Sequence, residues 1–150
     1  MKRLTLILTV VLLASCSTQY DKKKVTQYLK EVKELNQILI RNKQKVRDSE
    51  GIDAISKKIP ESKDLITLLE QELNLTDIGL YNIDGQEAKL GFAYRFGNRT
   101  KEKHYSYLIY AQNVDDLESF KHYEQFVDCG KSEEIDKNWA FSRITVDCNN

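Results

Sequence analysis

Leu90-Gly91-Phe92-Ala93-Tyr94-Arg95-Phe96 and, further on, His104-Tyr105-Ser106-Tyr107-Leu108-Ile109-Tyr110-Ala111-Gln112 are the stretches that decide the fold. In the first, Leu90, Phe92, Tyr94 and Phe96 alternate with small or charged residues, the period of two that sends successive side chains to opposite faces of a strand. In the second, Tyr105, Tyr107, Ile109 and Ala111 fall on one face and His104, Ser106, Leu108 and Tyr110 on the other. Upstream, Ile78 to Ile83 forms a third such run, joined through Asp84-Gly85. Asp-Gly between strand-like runs signals a tight hairpin. Gly97-Asn98 opens the next connection, and a three-stranded antiparallel meander is the expectation.

Towards the N-terminus the pattern becomes helical. Val25, Tyr28, Leu29, Val32, Leu35, Ile38, Leu39 and Val46 recur at steps of three and four, with Lys, Glu, Gln and Asn between them. This predicts one amphipathic helix from about Asp21 to Asp48, about 40 Å long at a rise of ~1.5 Å per residue, stopped by Ser49-Glu50-Gly51. Positions 25, 28, 32, 35, 39 and 46 also fit a heptad interrupted at Asn42, which would make the helix a coiled-coil partner surface rather than the cover of its own sheet. Ile52 to Ile59 adds a helical turn or two, and Pro60 suits the first turn of a second helix carrying Leu65, Ile66, Leu68, Leu69 and Leu73 and ending at Asn74.

Towards the C-terminus, Asp115-Asp116-Leu117-Glu118 reads as an N-cap with Glu three residues on. Leu117, Phe120, Tyr123 and Phe126 extend a third helix to about Cys129-Gly130. Trp139 to Cys148 is a last strand, with a rival pairing of 129–135 against 142–148 as a cystine-closed hairpin. The expected architecture is α+β in the order α-α-β-β-β-α-β. An antiparallel sheet of three to four strands is packed by a long N-terminal helix and one or two further helices. One proline, no glycine-rich linker and no fixed-period repeat point to a single domain over 25–150.

The chain has 150 residues, 41% hydrophobic and 31% charged, a globular composition. Lys plus Arg and Asp plus Glu both count 23. The one dense basic run, Lys22-Lys23-Lys24, gives no basic excess of the kind a nucleic-acid partner requires, so no nucleic acid is expected.

Met1-Lys2-Arg3 precedes an apolar stretch, Leu4 to Ala14, broken only by Thr5 and Thr9. A basic start followed by a short apolar run describes an export signal, and eleven residues span about 16 Å, short of the ~30 Å hydrocarbon core. The leader closes on Leu13-Ala14-Ser15-Cys16, which resembles the lipobox of bacterial lipoproteins. That resemblance covers the first sixteen residues. It implies a signal peptide over 1–15, thioether lipidation of Cys16 with cleavage before it, a tether over 16–24 and a membrane partner reached through the lipid. Ser17 after the cysteine implies the outer membrane of a Gram-negative cell, facing the periplasm. In an exported chain the remaining pair, Cys129 and Cys148, reads most simply as one disulfide.

Chemistry-bearing residues are few. Cys129 or Cys148 with His104 or His122 would be the material of a thiol hydrolase, but the disulfide is the stronger reading, and two histidines without HxxxH, HExxH or CxxC form no ligand set. The carboxylates at Asp115-Asp116 and Glu133-Glu134 sit where caps and turns belong, and Asn98-Arg99-Thr100 reads as a loop signal. No catalytic residue, metal or cofactor is expected. The remaining feature is aromatic. Tyr94, Tyr105, Tyr107 and Tyr110 are candidates for a docking surface on a sheet face that helices leave open, since tyrosine offers large contact area with a polar tip. The functional expectation is an envelope lipoprotein that binds another protein as accessory subunit, inhibitor or immunity factor. A binder of small ligands or cell-wall fragments is the alternative, and a small hydrolase the third.

Overall fold

A computed structural model describes residues 21–82, 90–97, 104–118 and 129–145. Helices α1 (Lys22–Gln27), α2 (Leu29–Arg41), α3 (Lys43–Arg47), α4 (Ile52–Lys58) and α5 (Lys63–Leu73) come first. Strands β1 (Leu75–Asn82), β2 (Leu90–Phe96), β3 (His104–Ala111), β4 (Cys129–Asp136) and β5 (Trp139–Thr145) follow. The class is α+β, as the change of period along the chain requires.

The N-terminal helical region is not one long helix. Tyr28 (φ −103°, ψ 16°) and Asn42 (φ −112°, ψ 24°) each close one segment and open the next. At Asn42 the cause is visible: Nδ2 donates to the Ile38 carbonyl at 3.0 Å and to Glu61 Oε1 at 2.9 Å. A side chain bonded to the preceding turn competes with helix continuation, and here it ties the end of α2 to the turn before α5. Asn42 is therefore a joint, not a register-setting coiled-coil position. The apolar stripe is used internally: Val25, Val32, Leu35 and Leu39 are fully buried, in one core with Leu69 and Leu73 of α5.

Pro60 opens a short 3-10 turn, Pro60–Ser62, that leads directly into α5. Asn74 closes α5 in the left-handed region (φ 52°, ψ 50°), a conformation asparagine tolerates better than most side chains. The reversal leaves no loop, so β1 begins at Leu75, three residues before the expected Ile78. Gly97 N–H donates to the Asn74 carbonyl at 2.9 Å and the Thr76 hydroxyl to the Gly97 carbonyl at 2.6 Å, which pins the start of β1 to the end of β2.

All neighbouring strands are antiparallel, in the order β1-β2-β3-β5-β4. The sheet has five strands where three to four were expected. The fifth is β4, which pairs with β5 from Cys129 opposite Thr145 to Asp136 opposite Trp139; the rival reading has a hairpin here too, but its pairing of 129–135 with 142–148 is displaced by three residues from this register. Its apolar alternation is hidden because β4 is an edge strand, and edges are guarded by charge: Lys131, Glu133 and Glu134 are exposed.

Both faces of the sheet are covered. On one, Phe92, Tyr94, Phe96, Leu108, Trp139 and Phe141 pack with α2 and α5. On the other, Tyr105, Tyr107, Ile109, Ala111, Ala140 and Ile144 form a second buried cluster that Leu117 joins. Full burial of a Leu or Phe side chain stabilises by roughly 1.5–3 kcal/mol, so two such layers account for the strand alternation without an open face. Of the expected third helix, the described part is a 3-10 turn at Val114–Asp116, capped by Asn113, whose Oδ1 accepts from Asp115 N–H at 3.3 Å, followed by Leu117 and Glu118 in α-helical conformation. Phe120, Tyr123 and Phe126 lie outside the described residues.

Candidate binding groove

Where α2 crosses the end of the sheet at the β4–β5 turn, an open groove of about 390 Å³ is lined by one side of α2 and by the residues around that turn. The turn is built by local chemistry. Asp136 Oδ1 accepts from Asn138 N–H at 3.1 Å, the side-chain-to-backbone bond that favours aspartate at turn entries. Asn138 Nδ2 donates to the Ala111 carbonyl at 2.8 Å, and Ala111 N–H donates to the Asn138 carbonyl at 3.0 Å. The turn is thereby fastened to the end of β3.

The helix wall is fastened to the sheet by polar contacts. The Tyr94 hydroxyl donates to Asn36 Oδ1 at 2.8 Å, with both residues buried. Lys33 Nζ meets Asp136 Oδ2 at 2.5 Å across the groove. Below them lies an aromatic floor: Trp139 stacks on Tyr94 at 6.0 Å between centroids and meets Tyr110 at 5.0 Å with a tilt of 48°.

Partial burial alone would raise the pKa of Asp136, but the Lys33 ammonium and the N–H groups of Asn138 and Trp139 outweigh it, so the carboxyl titrates below its ordinary value. Burial raises the pKa of Tyr110, and burial followed by the nearby Tyr110 raises that of Tyr94 much further, so both hydroxyls stay protonated at neutral pH. The groove thus offers neutral amides, the Tyr110 hydroxyl, one closed ion pair and the Lys137 ammonium at its rim.

The four tyrosines proposed as one docking surface do not share a face. Tyr94 and Tyr110 lie on the side packed by helices, Tyr105 and Tyr107 on the other. Tyr94 is fully buried, Tyr105 is 2% exposed and Tyr107 4%, so none presents a free ring. Only Tyr110, half-buried, reaches the groove. The expectation of an open face fails because the aromatic side chains of both faces are buried. In β3 large residues fall on both sides of the alternation, the mark of a strand buried twice.

His104 bonds Thr145 through Nδ1 at 3.0 Å, at the end of β3 opposite Tyr110. Six residues at ~3.3 Å each put about 20 Å between it and the groove. Cys129 pairs with Thr145 in the backbone register; Cys16, His122 and Cys148 lie outside the described residues. Among the described residues no cluster of three or more His, Cys, Asp or Glu could hold a metal, and no helix is long and apolar enough to cross a membrane.

The groove residues Lys33, Asn36 and Gln37 escaped the sequence reading because they look like the solvated face of a helix. One signal was available: Asn36 stands four residues after Val32 and three before Leu39, inside the apolar stripe. A polar residue there must find a partner in the core.

Comparison with known proteins gives no match: no family model, no curated protein and no solved structure is similar to this chain.

Proposed function

We propose that this is a lipid-anchored protein of the bacterial cell envelope that acts by holding another protein in the groove between α2 and the β4–β5 turn, as accessory subunit, inhibitor or immunity factor. The observation that carries the reading is the groove itself. It is open to solvent, its polar groups come from α2 and from the β4–β5 turn, and its walls are fixed by Tyr94–Asn36 and by Asn138. A loop of a partner can lie in such a trough, whereas pockets for small molecules bury about 70–90% of their ligand. The groups at its walls can orient and pair with a bound segment.

The anchor belongs to the same proposal. The lipobox ends at Cys16 and α1 begins at Lys22, six positions later, so the tether reaches at most about 22 Å at ~3.6 Å per residue. This holds the domain beside the membrane, where a membrane-bound partner would meet it.

The test is site-specific photocrosslinking in the native cell. A photoreactive side chain at Gln37 or Lys137 should capture one and the same protein, and one at the remote, exposed Lys57 should not. Cys16→Ser should abolish fatty-acid labelling and release the product from the membrane. Absence of any capture specific to the groove, or a Cys16→Ser product that still carries fatty acid, overturns the proposal.

A further inference from the structure

Asn36 is 3% exposed, lines the groove and has one hydrogen bond, to the Tyr94 hydroxyl. Whichever way the amide is turned, that bond uses one of its two ends. Neither side-chain polar atom of Asn36 is among the buried atoms that lack a partner, so the end of the amide not bonded to Tyr94 is reachable from the groove. Gln37, Tyr110 and Lys137 line the same trough, and none of them has a hydrogen-bond or ion-pair partner among the described residues. The groups left for a ligand are the Lys137 ammonium, which can only donate, the Asn36 and Gln37 NH2 groups, which donate, the Tyr110 hydroxyl, which does either, and the Gln37 carbonyl, which accepts. The charges here, Lys33 and Lys137 against Asp136, leave an excess of one positive.

Resting on the protein-binding reading above, we infer that the groove takes a carboxylate carried on an acidic segment of the partner protein. The carboxylate accepts from Asn36 and Gln37 and is paired by the Lys137 ammonium. An aliphatic neighbour on that segment lies against Ile40 and the edge of Tyr110. One net positive charge and no guanidinium match a single carboxylate better than a phosphate dianion, for which the bidentate fork of arginine is the usual partner. A saccharide is the weaker fit, because sugar recognition wants an open ring face. Trp139 is 4% exposed and closed over by Tyr110.

The experiment measures fluorescence anisotropy of labelled hexapeptides on the full mature chain in detergent. One peptide alternates Leu with Glu, its isostere alternates Leu with Gln, and an N-acetylglucosamine oligomer serves as competitor. The Glu peptide should bind at least about tenfold more tightly than the Gln peptide, and Lys137→Glu should remove that preference, as expected for a charge pair across an interface. Lys57→Glu should not. Equal affinity for the two peptides, no saturable binding of the Glu peptide, or displacement by the oligosaccharide overturns the inference. Because Asn36 is buried, Asn36→Asp serves as a second variant beside the surface changes: placing a carboxylate at that wall should repel the Glu peptide, with folding checked by circular dichroism. The two readings fail separately. Capture from Gln37 that survives Lys137→Glu leaves the partner reading standing and sinks the carboxylate. Selective peptide binding with no capture in cells does the reverse.

Discussion

Tyr94, in the middle of the sheet, donates its hydroxyl proton to Asn36, in the middle of α2, across 2.8 Å, with both side chains buried. The bond crosses a core made mainly of apolar side chains, so it favours the setting of α2 on the sheet at which both groups are satisfied. It also places Asn36 at the groove wall. Fold specificity and site geometry meet in this single pair.

Removing half of the pair should therefore cost more than removing all of it. Tyr94→Phe strands Asn36 Oδ1 in the core and is expected to destabilise by about 1–3 kcal/mol, read as a lower urea midpoint. The double variant Tyr94→Phe with Asn36→Leu exchanges both polar groups for apolar ones and should recover part of that loss. A double variant less stable than the single one would mean that the bond is incidental.

The helical stripe makes a prediction about assembly. Val32, Leu35 and Leu39 are spent within the chain's own core, so sedimentation of the mature domain at high concentration should give the monomer mass. Leu35→Ala should cost about 2–5 kcal/mol by opening a cavity. A concentration-dependent dimer that Leu35→Ala dissolves without changing monomer stability would restore the coiled-coil reading.

Much of the fold was legible because periodicity reports burial directly. The switch from steps of three and four to steps of two is written in the apolar positions from Ile78 on, while the irregularity between Leu75 and Asp77 hides the first residues of β1. What stayed hidden has physical reasons. The breaks at Tyr28 and Asn42 leave the stripe in phase, so hydrophobic spacing does not register them. β4 carries its charges outward as a guarded edge and so reads as a turn region. The tyrosine surface was misread because a tyrosine on a strand looks the same whether its neighbours cover it or not. The groove was out of reach because Asn36 and Asp136 come from elements 100 positions apart, and only the sheet order brings them together.

Acid should loosen one corner of the groove. The folded pKa of Asp136 lies below its unfolded value of about 3.9. A lowered carboxylate pKa contributes stability that is fully present above the unfolded value and is lost as pH falls through the folded one. Both side chains of the Lys33–Asp136 pair remain more than a third exposed, so solvent screening limits the effect to under about 1 kcal/mol. Urea midpoints of wild type and Asp136→Asn should differ by a constant amount from pH 7 to pH 5 and converge towards pH 3. A gap that widens with acid would contradict the assignment.

The last prediction concerns the β4–β5 hairpin and its two sulfurs. Cys129 stands opposite Thr145, and Cys148 follows three positions further along the chain. If export oxidises the pair, the bond closes 19 positions around a hairpin whose ladder already holds its ends, and the chain-entropy estimate is roughly 3 kcal/mol. A crosslink has a signature that ordinary packing lacks: either partner alone abolishes it. Cys129→Ser and Cys148→Ser should therefore lower the midpoint by similar amounts, and the double variant by no more than either. Thiol titration of the unfolded, unreduced mature chain should find neither of the two reactive. Additive losses together with two titratable thiols would show a reduced pair, remove the crosslink from the hairpin and return Cys129 to the search for chemistry.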